Sequence, residues 1–133
     1  MAAAKDLNLV VITPERELLN LTTDSVILPA HDGELGVLRD RAPLMCELGV
    51  GQVRYNADGR TKRVVIDGGF AQVAGNKVSV LTNRAVPAED VSDAMVKAEE
   101  TAVATLERNA PVDRPALERA RRRLSAFRAV RGQ

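Results

Sequence analysis

A β-sandwich, or flattened barrel, followed by an antiparallel pair of helices is the α+β fold class predicted for this 133-residue chain. Three observations predict it. From Leu7 to Thr82, short runs rich in Val, Leu and Ile are broken at close intervals by Gly, Pro and Asn, the pattern of short strands and tight turns. Near Pro87 the β-branched residues thin out, and Ala, Glu and Arg, which are good helix formers, take over. In that tail, apolar residues recur at helical spacing in two stretches parted by Asn109-Ala110-Pro111. The chain is accordingly expected to divide into a β-domain, residues 1–86, and a helical hairpin, residues 87–133.

Composition excludes several classes of function. The formal net charge is +1, so global charge does not favour nucleic acid or a membrane surface. Aromatic residues make up 2%, which disfavours a site built on base stacking and leaves aliphatic side chains to fill the core. Cys46 is the single cysteine, so no internal disulfide can form and a reducing compartment fits. The opening Met-Ala-Ala-Ala-Lys-Asp lacks the apolar centre of a secretory signal, and no apolar run approaches the roughly 20 residues that span a bilayer. A soluble chain is expected, reaching a membrane only through a partner.

The elements follow in order. Leu7 to Ile12 is a strand that stops at Thr13-Pro14, because the residue before proline is pushed to extended geometry. Glu15 to Leu21 and Asp24 to Pro29 are the next two. Leu28 to Gly51 is punctuated by Pro29, Gly33, Gly36, Pro43, Gly49 and Gly51, and reads as a structural corner that also presents a surface, with strands at Glu34 to Leu38 and Leu44 to Leu48. Gly51 to Asn56 alternates in polarity and turns at Ala57-Asp58-Gly59 into Lys62 to Asp67, Asp-Gly being a strong hairpin signal. After Gly68-Gly69, Phe70 to Ala74 turns at Gly75-Asn76 into Lys77 to Thr82. That is about nine short strands, spaced as a sandwich spaces them.

Val91, Ala94, Met95, Ala98, Ala102 and Leu106 form the apolar stripe of a first helix, with Glu89, Asp90 and Asp93 at its N-terminus, where negative charge is favourable. Asp113 is the expected N-cap of a second, with Pro115 in its first turn and Leu117, Ala120, Leu124, Phe127 and Val130 as its stripe. Helices joined by so short a loop fold back on one another. The thin, alanine-rich stripe predicts weak docking, as a moving element requires.

Few residues suggest chemistry. His31 beside Asp32 and Glu34 lacks the further ligands that zinc needs, and reads as an ordinary loop histidine. Cys46 lies in an apolar strand without a basic partner and reads as a packed thiol. Gly33-x-x-Gly36 and Gly68-Gly69 do not continue as phosphate loops. No nucleophile–base pair, metal or cofactor is expected, which disfavours a small enzyme with a sandwich pocket. The sharper feature is the last helix, where Arg114, Arg119, Arg121, Arg122, Arg123, Arg128 and Arg131 are opposed only by Glu118. Such clustering reads as a docking surface for an acidic protein, with a nucleic-acid-binding module as the alternative.

At these residues the chain resembles a known family, the epsilon subunit of F-type ATP synthases, whose mitochondrial counterpart is called delta. Thr13-Pro14-Glu15-Arg16 is similar to that family's early turn. Asp32-Gly33-Glu34-Leu35-Gly36-Val37-Leu38 resembles its Gly-Glu-x-Gly-Ile-Leu corner, Ala42-Pro43-Leu44 the following Ala-Pro-Leu, Gly68-Gly69-Phe70 its Gly-Gly-Phe, and Asn76 to Thr82 its next strand. The resemblance covers nearly the whole chain.

It implies a non-catalytic subunit of the central rotor stalk. The β-domain would bind the gamma subunit and rest on the membrane ring of c subunits, facing it with Asp32, Gly33, Glu34 and Leu35. The hairpin would fold on the β-domain or extend toward the catalytic alpha and beta subunits. Extended, it would hinder ATP hydrolysis through Arg119, Arg121, Arg122, Arg123 and Arg128, using charge-assisted pairs to carboxylates. The expected location is peripheral, on the cytoplasmic side of a bacterial membrane, with an organellar inner membrane as the alternative. Two departures stand out. Arg39-Asp40-Arg41 replaces the family's Pro-Gly-His, and Val91-Ser92-Asp93-Ala94-Met95-Val96 stands where some bacterial members carry an ATP-binding Ile/Leu-Asp-x-x-Arg-Ala motif. Nucleotide binding is therefore not carried over.

Overall fold

The computed structural model describes residues 6–132. The strands are β1 (Leu7–Ile12), β2 (Glu17–Thr23), β3 (Ser25–Ala30), β4 (Gly33–Leu38), β5 (Leu44–Ala57), β6 (Arg60–Ala74), β7 (Lys77–Leu81) and β8 (Ala85–Pro87). A short 3-10 turn (Ala88–Asp90) leads to α1 (Asp93–Arg108) and α2 (Arg114–Arg131). The strands form one hydrogen-bonded sheet in the order β2-β1-β7-β6-β5-β3-β4, with β8 added beside β6. Neighbours run antiparallel except β1 and β7. Residues from β1, β3, β4, β5, β6 and β7 bury against one another in a single cluster that includes Leu9, Val26, Val37, Val53, Ile66 and Val78. One sheet gives one such core only by curling over on itself, and that makes the sandwich.

The described strands number eight where the sequence suggests about nine, and the difference lies in β5 and β6. Each is a long strand that the sequence reads as two. In β6 the core-facing residues are Val64 and Ile66, then Ala71 and Val73. In β5 they are Leu44, Cys46 and Leu48, then Val53 and Tyr55. The alternation changes phase across Gly49–Gly51 and across Gly68–Gly69, which lie side by side in the ladder between the Leu48–Gly69 and Gly51–Ile66 pairs. A phase change reverses which face a side chain occupies. Here the strands also bend, so both halves keep facing the same core. Gly69 makes this possible: its φ is 114°, and a Cβ there would lie 2.0 Å from the Leu81 carbonyl oxygen. Strand β8, absent from the sequence reading, pairs Val65 with Val86 and brings the chain to the outer face of β6, where the helices pack.

The turns follow local chemistry. Asp58 and Gly59, and Gly75 and Asn76, all have positive φ, as two-residue hairpins favour. Thr13 and Arg16 exchange backbone hydrogen bonds to close the β1–β2 turn. Asp40, also at positive φ, takes its place by donating its backbone N–H to Asn76 Oδ1 at 2.7 Å.

Candidate functional site: the docked helical hairpin

Both helices start where their caps allow. The Ser92 hydroxyl accepts from the Met95 N–H and begins α1, so Glu89 and Asp90 lie in the preceding 3-10 turn instead of the helix. The Asp113 carboxylate accepts from the Ala116 N–H at 3.2 Å and begins α2, with Pro115 in its first turn. Gly132 ends α2 in the left-handed conformation. The connection contains a cis Ala110–Pro111 peptide.

A second, smaller core holds the hairpin to the sheet. Val65 and Val86 of the β-domain meet Val91, Val96, Leu124, Ala126 and Phe127. The α2 stripe is buried as expected, save that Val130 is half-buried and Ala126 joins it. The α1 stripe differs: Ala94 and Ala98 are exposed, while Val96 and Glu99 are buried. A carboxylate in the apolar stripe is the residue the sequence pattern could not place.

Glu99 is 7% exposed, and its charge is met from both sides. Arg123 Nε donates to Glu99 Oε2 at 3.1 Å, and Arg84 Nη1 donates to Glu99 Oε1 at 3.2 Å. Arg123 Nη1 also reaches Asp67 of β6 at 3.4 Å. The Arg84 guanidinium lies 5.1 Å from the Phe127 ring centroid, within cation–π range. The β-domain thus supplies one acid and one base, Asp67 and Arg84, and the hairpin supplies the same, Glu99 and Arg123. A charge buried in this way is stable only if paired and hydrogen-bonded.

The arginine helix is not opposed by Glu118 alone. Arg121 pairs with Glu107 at 2.8 Å, Arg128 with Glu100 at 2.6 Å, and Arg131 with Asp93. All three carboxylates belong to α1 and face α2 only because the hairpin closes. Arg114, Arg119 and Arg122 are exposed and form none of the ion pairs among the described residues. The sequence shows the clustering of arginines, and the structure divides it into neutralised and open cations.

The Asp32–Leu35 segment is mostly strand rather than loop. His31 and Asp32 make a two-residue turn, and Gly33, Glu34 and Leu35 open β4 opposite Ala30, Pro29 and Leu28. Glu34 is exposed and accepts from Arg54 Nη2 at 2.6 Å, a partner the sequence reading does not name. Glu34 and Gly33 border the same groove as Arg122 and Ser125 of α2, so the two candidate sites meet at one junction. Burial pushes the Cys46 thiol up, with a smaller opposing effect of its hydrogen bond to the Ala71 backbone. Among the described residues no group of three or more His, Cys, Asp or Glu could hold a metal ion, and no helix is long and apolar enough to cross a membrane.

The family described as "ATP synthase, Delta/Epsilon chain, beta-sandwich domain" matches residues 6–88. The chain belongs to the ATP synthase epsilon-chain family. It is 40% identical over 121 residues to the epsilon chain of Symbiobacterium thermophilum, covering 89% of this chain and 87% of that one. Identity to the Rhodopirellula baltica epsilon chain is also 40%, over 124 residues, with 93% and 92% covered. In structure it is similar to a chain of the Euglena gracilis mitochondrial ATP synthase, solved as an OSCP/F1/c-ring assembly, with a TM-score of 0.78, 25% identity, and 94% and 81% of the two chains covered. A chain from the central stalk and c-ring of the Tetrahymena thermophila mitochondrial enzyme, 12% identical with a TM-score of 0.64, shares the fold. The epsilon-chain family model ends at residue 88, beside the 3-10 turn that leads into the hairpin.

Proposed function

We propose that the chain is a non-catalytic rotor subunit of the proton-translocating ATP synthase, joining gamma to the c-ring through its β-domain and restraining ATP hydrolysis through its hairpin. The observation that carries the second part is the distribution of charge on α2. While the two helices stay closed on each other, Arg121, Arg128 and Arg131 are held by exposed α1 carboxylates. Exposed pairs contribute only about 0.2–1 kcal/mol each. Exchanging those carboxylates for the carboxylates of a catalytic subunit is therefore close to neutral, and small differences in contact decide which state is populated. Arg119 and Arg122 are already open in the docked state and make the first contact.

The β-domain carries a surface suited to a permanent protein neighbour. Ile12, Leu81 and Phe70 are aligned across β1, β7 and β6, and Phe70 and Leu81 are about half exposed. Met45 and Leu38 are more exposed still, at 69% and 65%. The contiguous strip of Ile12, Leu81 and Phe70 is the apolar exposure that suits an interaction site, and we assign it to gamma. The turn at Asp32 and the start of β4, with Glu34, would face the ring. In a bacterium this places the subunit peripherally on the cytoplasmic face, held there by the complex. Neutralisation of four α2 arginines by nearby acids weighs against the alternative of a nucleic-acid-binding helix.

The test is ATP hydrolysis by a catalytic complex stripped of this subunit. The full chain and a chain ending at Asp90, which retains β8, are added back. Both are expected to bind and only the full chain to lower the rate. Binding of both without inhibition would reject the brake and leave a coupling subunit.

A further inference from the structure

The groove between the β5–β6 ladder and α2 has a charge pattern that the fold does not require. Arg54 and Arg63 are directly opposite each other in the ladder, and both border this groove. Like charges in that relation repel. Glu34 answers one of them, through Arg54 Nη2, while the Arg54 Nε–H is buried without an acceptor. Arg63 is exposed and takes part in no ion pair among the described residues. Across the groove, α2 adds Arg122, also exposed and without an ion pair. The groove holds about 500 Å³, with the Ser125 side chain on its wall. Three guanidinium groups less one carboxylate leave a formal charge of +2 around it.

We propose that this groove binds a small multivalent oxyanion of the phosphate class, held by Arg63 and Arg122 with Arg54 at its back. A guanidinium presents paired N–H donors that match two oxygens of one phosphate, and it stays charged at any physiological pH. The excess of two positive charges matches a dianion. An open groove with two exposed guanidinium groups on its border is accessible to a hydrated inorganic anion. The site is separate from the Val91–Val96 segment, and it does not depend on the inhibitory reading of the hairpin. It has one consequence for the fold. Arg63 belongs to the sheet and Arg122 to the hairpin, so an anion that engages both binds the docked form and stabilises it by mass action.

The test uses the full chain and inorganic phosphate, then pyrophosphate, by titration calorimetry at constant ionic strength, with sodium chloride as the control. Saturable binding is expected, weakened at least tenfold by Arg63→Gln and by Arg122→Gln and unchanged by Arg60→Gln. Both sensitive positions are exposed, so these variants should fold. A parallel thermal-shift measurement should show pyrophosphate raising the transition of the parent chain but not of Arg63→Gln. A response no larger than that to chloride would overturn the proposal. So would saturable binding that survives both substitutions, because the anion would then sit elsewhere.

Discussion

Arg123 of α2 donates through Nη1 to Asp67 of β6 at 3.4 Å, and among the described residues this is the only ion pair that joins α2 to the sheet. Its other guanidinium bond, to Glu99, stays within the hairpin. Movement of the hairpin as a unit would break the first and keep the second. The pair of Asp67 with Arg123, together with that of Arg84, from the segment before β8, with Glu99, therefore distinguishes a docked hairpin from a free one.

Asp67→Asn should loosen docking without unfolding the β-domain. The two side chains are 24% and 20% exposed, so the loss should be about 1 kcal/mol, near the upper end for exposed pairs. Hydrogen exchange should accelerate in α2 and at Val65 while the amides of Val26 and Val53 stay protected. Exchanging the charges, Asp67→Arg with Arg123→Asp, would leave Glu99 facing a new acid. The double variant should therefore recover less protection than the parent, and full recovery would show that Glu99 plays no part.

Glu99 should be less forgiving. Glu99→Ala leaves the part-exposed Arg84 and Arg123 without the buried carboxylate between them, and loss of hydrogen bonds to a charged group costs roughly 2 kcal/mol. Urea unfolding followed through hairpin probes should shift to lower concentration, and Glu99→Gln should lie between the two. A midpoint for Glu99→Ala equal to that of the parent would remove the network from any account of docking.

The open and paired arginines can be told apart by function. Arg119→Ala with Arg122→Ala should relieve inhibition of hydrolysis while hydrogen exchange in the docked state is unchanged, because neither side chain is held by an ion pair within the chain. Arg123→Ala should instead release the hairpin from the sheet. If the hairpin extends more readily, inhibition should deepen before the lost cation weakens it. Identical hydrolysis rates for both variants would argue against two classes of arginine.

Gly69→Ala should be severe. The added methyl would meet the Leu81 carbonyl at 2.0 Å and the Thr82 Cα at 2.9 Å, in a backbone conformation unfavourable to any side chain. A loss of about 3 kcal/mol or more is expected, read as a lower thermal midpoint or as insoluble protein. Gly75→Ala, where no atom lies within 4 Å of the new methyl, should cost far less despite its positive φ.

Much of this was legible in local chemistry. The two-residue turns at Asp58-Gly59 and Gly75-Asn76, the Asp113 cap and the Leu117–Phe127 stripe all depend on residues within a few positions of one another. The long strands β5 and β6 were not legible as single elements. A change of alternation phase at glycine looks the same in sequence whether the strand ends or bends. Glu99 was hidden because an acid in an apolar stripe is recognisable as buried only when its cations are known. Those cations, Arg84 and Arg123, lie 15 and 24 positions away.

By itself, the sequence determined the division into a β-rich part and two helices, the turns at Asp58-Gly59 and Gly75-Asn76, the Asp113 cap and the clustering of arginine on the last helix, while the order and spacing of its motifs carried the resemblance to epsilon subunits. The division, the turns and the cap follow from local propensity and period, which act over a turn or a strand. Tertiary structure alone decided which arginines are satisfied and which stay open, that Glu34 answers Arg54, and that Arg54, Arg63 and Arg122 share one groove. The physical reason is that electrostatic pairing depends on distance in space, and only the closing of the sheet and the docking of the hairpin bring those charges within reach.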